Sequence, residues 1–175
     1  MHIELVVFGF VGTTVAESDA DLGREIHGSS QAFWQLRQNA IRIASVTPLS
    51  MAAADALHER LGWRARGLID VYVTGDDVER TAPFPDAIYA AMDRAGVRES
   101  GRVTLVSGVA SELEQGKAAG CGLVVGVFRD GASFDRLRDA PHNVLLPTCG
   151  LVPELLRRLD VRRIAPISLG RSASS

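Results

Sequence analysis

The chain has 175 residues, 46% of them hydrophobic and 23% charged, which is enough apolar material for a core of ordinary domain size and excludes a disordered tail or a linker. With 19 Lys and Arg against 21 Asp and Glu the formal net charge is -2. No cationic field therefore gathers phosphate backbones or anionic lipid, and neither nucleic acid nor a membrane is an expected partner. The two cysteines, Cys121 and Cys149, make no disulfide framework and lack the spacing of a metal knuckle. The N-terminal apolar run is cut by Gly9 and Gly12, too short for a signal peptide or a membrane span. A reduced, cytoplasmic protein is the expectation.

In chain order, residues 3–8 form an apolar, β-branched run that stops at glycine, as suits a strand buried on both faces of a parallel sheet. Residues 16–28 are acidic, with Glu17, Asp19, Asp21 and Glu25, show no strand pattern, and are expected to hold a short helix or lid. Residues 29–38 have helical spacing. Further strand runs at 41–44, 68–73, 103–106, 123–127 and 144–146 alternate with helical segments at 50–61, 85–94, 110–119 and 151–159. This alternation predicts an α/β fold, a Rossmann-like open parallel sheet flanked by helices, with its ligand site outside the carboxyl ends of the strands. Residues 1–167 read as one domain in which 16–40 is a shortened cap or lid region, and the small polar residues 168–175 read as a frayed tail.

The residues just after each strand are therefore the candidates for chemistry. After the first strand, Gly9-Phe10-Val11-Gly12-Thr13-Thr14 offers backbone N–H groups and two hydroxyls that suit an anion cradle, although a plain strand-to-helix turn accounts for the same residues. After the second, Thr47 or Ser50 caps the next helix. After the third, Asp76 and Asp77 suit a divalent cation or, more simply, a solvated acidic turn, and Arg80 suits bidentate anion binding. After the fourth, Glu112 falls in the first turn of a helix, where a carboxylate favours the macrodipole. His27 in the lid-like segment is a weaker candidate base, and Cys149 after the last strand a weaker candidate nucleophile. A surface histidine and an inert buried thiol are the plainer readings. His58 reads as a helix-surface residue.

Four ordered stretches resemble the haloacid dehalogenase (HAD) superfamily, specifically its phosphonoacetaldehyde hydrolase-like, or phosphonatase-like, branch. Val6-Val7-Phe8-Gly9-Phe10-Val11-Gly12-Thr13-Thr14-Val15 is similar to the first motif, and Ile43-Ala44-Ser45-Val46-Thr47-Pro48-Leu49-Ser50 to the second. Val73-Thr74-Gly75-Asp76-Asp77-Val78-Glu79-Arg80-Thr81-Ala82-Pro83 resembles the third. Val106-Ser107-Gly108-Val109-Ala110-Ser111-Glu112 and the glycine-flanked strand after it resemble the fourth. The likeness implies a HAD-like core, an aspartate nucleophile and a Mg²⁺ ion, and it is at those positions that the chain departs. Gly9 stands where the family places the nucleophile, Val11 where most members place an acid–base aspartate, and Gly108 where a carboxylate would hold Mg²⁺, leaving Glu112 at the position of its partner. The phosphate-binding hydroxyl falls on Ser45 or Val46, according to the alignment, and Arg80 matches the basic residue of the third motif. The family's helical cap carries an imine-forming lysine, whereas the only lysine here, Lys117, lies on a core helix.

These departures favour a catalytically dead HAD-like protein with a residual anion pocket of Gly12, Thr13, Thr14, Ser45 and Arg80 and with no cofactor, since the expected Mg²⁺ has lost most of its ligands. Such a protein acts as a binding, regulatory or scaffold component. A protein partner or a second copy is expected over the strand-end face, where Phe10, Phe84 and Trp34 would be exposed. The alternatives are rebuilt chemistry in the same crevice, drawing on Asp76, Asp77, Glu112, His27 or Cys149, and a residual phosphatase activity through water.

Overall fold

The computed structural model describes residues 1–17 and 23–161. Six strands, β1 (Leu5–Gly9), β2 (Arg42–Val46), β3 (Val71–Val73), β4 (Val103–Ser107), β5 (Leu123–Val127) and β6 (Val144–Leu146), pair into one fully parallel sheet in the order β3-β2-β1-β4-β5-β6. Every residue of β1 is buried, because helices cover both faces and side chains alternate between them. Val6 and Phe8 enter a core with Phe33, Ile43 and Trp63, supplied from outside by α1 (Ser29–Gln38), α2 (Met51–Leu61) and α6 (Val152–Val161). Leu5 and Val7 enter the opposite core, against Ile88, Leu105 and Leu113. That face is covered by α3 (Asp86–Ala95), α4 (Ala110–Ala119) and α5 (Gly131–Leu137). The α/β, Rossmann-like architecture read from the sequence is the one observed.

Local chemistry sets the element ends. Ser50 Oγ accepts from the N–H of Ala53 at 3.3 Å and opens α2, and Gly62, with φ of 66°, closes it. Helix α5 was not anticipated: it has seven residues, and its start is marked by Asp130 and Ser133 in a reciprocal capping box rather than by an apolar stripe. β3 is shorter than its apolar run because Asp70 turns aside, its carboxylate accepting from the N–H of Ile43 at 2.8 Å. In the lid region, Val15 forms an antiparallel bridge to Glu25, and no helix occurs among the described residues before Ser29. Asp19, Asp21 and the tail 168–175 lie outside the described residues. No helix of the described residues is long and apolar enough to cross a membrane.

One aromatic group ties the lid region to α1 and α2. Trp63 is fully buried, meets Phe33 edge-on at 5.1 Å, and donates from Nε1 to Ser30 Oγ at 3.2 Å and Glu25 Oε2 at 3.4 Å. Phe10 stacks on His58 with ring centroids 4.2 Å apart. Two expectations fail here: Phe10 is core rather than strand-end surface, and His58 is 2% exposed rather than on the helix surface. A helical position four residues before Gly62 faces inward on this sheet, so the imidazole replaces a hydrocarbon in the core.

Candidate functional site

In a sheet of this order the connections leaving β1 and β4 diverge to opposite faces, and a crevice opens beyond their carboxyl ends. A cavity of about 590 Å³ lies there, with Val11, Leu49, Leu57, Ala82 and Val109 among its apolar walls. Its polar groups are the hydroxyls of Thr47, Thr81 and Ser111, the charged side chains Glu17 and Arg60, and Glu112. Ala53, Ala56, Leu57 and Arg60 line it from α2. Their spacing of i, i+3, i+4 and i+7 is one helix face.

Glu112 is the chemically distinctive residue. It is 6% exposed, and its Oε2 accepts from Ser107 Oγ at 2.6 Å. Ser107 Oγ in turn accepts from the N–H of Val109 at 2.9 Å, so the hydroxyl is oriented before it meets the carboxyl. Burial pushes the Glu112 carboxyl up to about 7, against a smaller lowering by the Ser107 hydrogen bond. The carboxyl also fills the space beside Gly9. A β-carbon on Gly9 would stand 2.2 Å from Glu112 Oε2 and 2.7 Å from Thr13 Oγ1.

The turn after β1 is bonded from within. The N–H of Gly12 donates to Val15 O at 2.8 Å, and those of Thr13, Thr14 and Val15 all donate to Phe10 O. Thr14 Oγ1 donates to Gly9 O at 3.1 Å, and Thr13 Oγ1 accepts from the N–H of Gly108 at 2.9 Å. The N–H groups of Gly12, Thr13 and Thr14 and the Thr14 hydroxyl thus each have an intramolecular partner. Gly108 is pressed against the same turn, since a β-carbon there would lie 2.3 Å from Gly12 O.

The remaining candidates are scattered. Ser45 lies opposite Phe8 inside the sheet, buried and with no partner for its hydroxyl among the described residues, and Val46 is paired with Gly9. The hydroxyl that reaches the cleft from this strand is Thr47, one residue beyond β2, which accepts from the N–H of Leu49 at 3.2 Å. Arg80 is paired with Asp86 at 2.9 Å and lies over the Phe84 ring at 4.5 Å, and its neighbours Thr81 and Ala82 line the cleft in its place.

Asp76 and Asp77 both bond within the chain, shaping a turn. Asp76 accepts from the N–H of Met51 at 2.8 Å, while Asp77 accepts from Arg94 at 2.7 Å and from the N–H of Thr74 at 2.7 Å, which holds its carboxyl down at about 2. His27 is an exposed turn residue away from the cleft. Cys149 is fully buried, donates from Sγ to Thr13 O at 3.5 Å, and is pushed up to about 12 by burial, which disfavours the thiolate that a nucleophile needs. Among the described residues no three His, Cys, Asp or Glu side chains gather as a metal site. Trp34 and Phe84 are exposed, at 57% and 46%, but neither lines the cleft.

Comparison with solved structures places this arrangement in a known fold. The D,D-heptose 1,7-bisphosphate phosphatase of B. bronchiseptica, complexed with magnesium and phosphate, superposes with a TM-score of 0.73 at 20% identity, over 90% of this chain and 99% of that one. CbbY from Rhodobacter sphaeroides, in complex with phosphate, gives 0.67 at 17% identity, over 85% and 95%. The chain has the fold of the HAD-superfamily hydrolases. A hydrolase from Pseudomonas syringae gives 0.65 at 19% identity, and there the match takes in 81% of this chain but 61% of the longer one. No family model matches the sequence, and no curated protein does.

Proposed function

We propose that this chain is a HAD-fold protein that has left phosphoryl-transfer chemistry and uses its strand-end cleft to bind a small molecule without turning it over. One observation carries the reading: the carboxyl of Glu112 occupies the space beside Cα of residue 9 that a nucleophile's side chain would need. The resemblance to the phosphonatase-like branch places an aspartate at Gly9 and a metal carboxylate at Gly108. A glycine at either position supplies neither nucleophile nor ligand. The donor set does not fit Mg²⁺, a hard cation that is held by carboxylates, because Glu112 alone remains and is engaged by Ser107.

Charge argues in the same direction. An ionised Glu112 and a phosphate group about 4 Å apart repel by about 4 kcal/mol per pair of unit charges at an effective dielectric near 20. Arg80, which the resemblance assigns to an anion, is already paired with Asp86. With Phe10 in the core, the apolar face expected to dock a partner or a second copy is reduced, and a ligand of drug-like size is the better-supported occupant of a cavity this large.

The test is a Mg²⁺-dependent hydrolysis screen over phosphate monoesters and phosphonoacetaldehyde with the purified protein. The expected result is no turnover above buffer. Mg²⁺-dependent turnover would overturn the proposal. A second reading, rebuilt acid–base chemistry, is favoured by one feature: the position of Glu112 near 7 inside an apolar cleft suits proton transfer at neutral pH. Turnover of any substrate that Glu112→Gln abolishes, with a pH profile breaking near 7, would establish it.

A further inference from the structure

Glu112 is a buried carboxyl of the cleft whose set of partners is incomplete among the described residues. Glu112 Oε2 is bonded to Ser107, and the other carboxyl oxygen has no hydrogen bond among the described residues. Among the described residues no cation is ion-paired with it. The charged groups that share the cleft are Glu17 and Arg60, both exposed and opposite in sign, and the residues of the small adjoining cavity that also touches Glu112, Thr81 and Gln115 among them, are uncharged. Ser107 faces it from β4 with a hydroxyl. The unmatched feature is thus a desolvated carboxyl in an apolar chamber, and its chemical complement is a cation carried on a hydrocarbon body.

We infer that the cleft binds a small organic ammonium ion, its apolar body against Leu49, Leu57 and Val109 and its cationic head on the free oxygen of Glu112. The inference rests on the reading of the cleft as a binding site and names the ligand class of that site. Binding supplies the counter-charge that burial withholds, so the ligand is taken up with the ionised form of Glu112, and a protonated Glu112 releases its proton to solvent as the ammonium enters. An anionic ligand of the same shape meets repulsion, and a neutral one gains only the apolar contacts and an ordinary hydrogen bond.

The experiment is isothermal titration calorimetry of the full chain with 4-phenylbutylamine, 4-phenylbutanol and 4-phenylbutyrate, at pH 6 and pH 8 and in two buffers of different ionisation heat. The amine is expected to bind about tenfold more tightly than the alcohol at pH 8, the preference expected of a charge-assisted bond. It should bind about tenfold more weakly at pH 6, where it should release close to one proton. In Glu112→Gln the amine should lose its preference over the alcohol. Should that variant fold poorly, the wild-type proton release decides alone. Equal or tighter binding of the alcohol or the butyrate would overturn the ammonium assignment while leaving a binding cleft. Absence of binding by all three would overturn both the assignment and the binding reading, and the hydrolysis screen judges the loss of phosphoryl chemistry independently.

Discussion

The carbonyl oxygen of Gly12 lies 2.3 Å from where a β-carbon on Gly108 would stand, whereas a β-carbon on Gly9 meets the far end of the Glu112 side chain. Backbone cannot move aside as a flexible carboxyl can. Gly108→Asp is therefore expected to lose on the order of 3 kcal/mol, the upper end of overpacking costs, and Gly9→Asp less. A urea melt of each variant checks the ranking. The Gly9→Asp, Gly108→Asp double variant should gain no hydrolase activity, because restoring two side chains does not reopen the turn.

Glu112 makes stability fall as pH rises. Its folded value near 7 lies above the ordinary glutamate value of 4.5, so the native state holds a proton that the unfolded state has released. The stabilisation is complete below about 4.5, is lost as pH climbs through about 7, and amounts to on the order of 3 kcal/mol. Glu112→Gln should flatten this part of the profile and be the more stable form at pH 8. Chemical denaturation at pH 4.5, 6 and 8 reads both effects.

His58 acts on the acid side. Burial first, then the neighbouring Arg64, lowers its imidazole to about 4 from 6.5, so the unfolded state takes up a proton that the native state refuses. Stability is full above about 6.5, declines below it and bottoms out near pH 4, a loss on the order of 3 kcal/mol. His58→Phe should keep the stack on Phe10 and the edge contact to Tyr72 while removing this decline. Thermal melts between pH 4 and 7 give the comparison.

Trp63 joins three segments through one ring, and Trp63→Ala should cost about 3–5 kcal/mol. Trp63→Phe should retain most of that packing but abandon the bonds to Ser30 and Glu25. Because Trp34 is exposed and Trp63 is fully buried, the blue-shifted part of the native emission should vanish in either variant, which separates loss of the anchor from general unfolding.

The strand and helix succession was legible because each buried strand is a short aliphatic run closed by a breaker, and because α3 and α6 carry apolar stripes. The short α5 was not, since its signal is a capping box rather than a period. The site was legible only in part. Glu112 could be picked out by position, but its contact with Gly9 is made across the sheet and depends on packing that no local pattern records. Arg60 and Leu57 were readable in principle as one stripe with Ala53 and Ala56, yet a stripe of that kind looks the same whether it faces a core or a cavity. Arg80 and the Asp76-Asp77 pair carried the right chemistry, and only the fold shows that Asp86, Arg94 and the N–H of Met51 already satisfy it.

The burial of Cys149 gives the protein a built-in clock. Its sulfur sits under the turn after β1, on the carbonyl of Thr13, in the core that this turn closes with α1 and α6, so an alkylating reagent reaches it only when that packing opens. Burial also raises Cys121, to about 12, which lowers its thiolate fraction, and its partial exposure means it must be replaced by serine for the Cys149 rate to be read alone. The rate of alkylation at Cys149 then counts openings of the packing around the β1 turn, and a ligand seated against Val11 and Val109 should slow it where those openings include the turn.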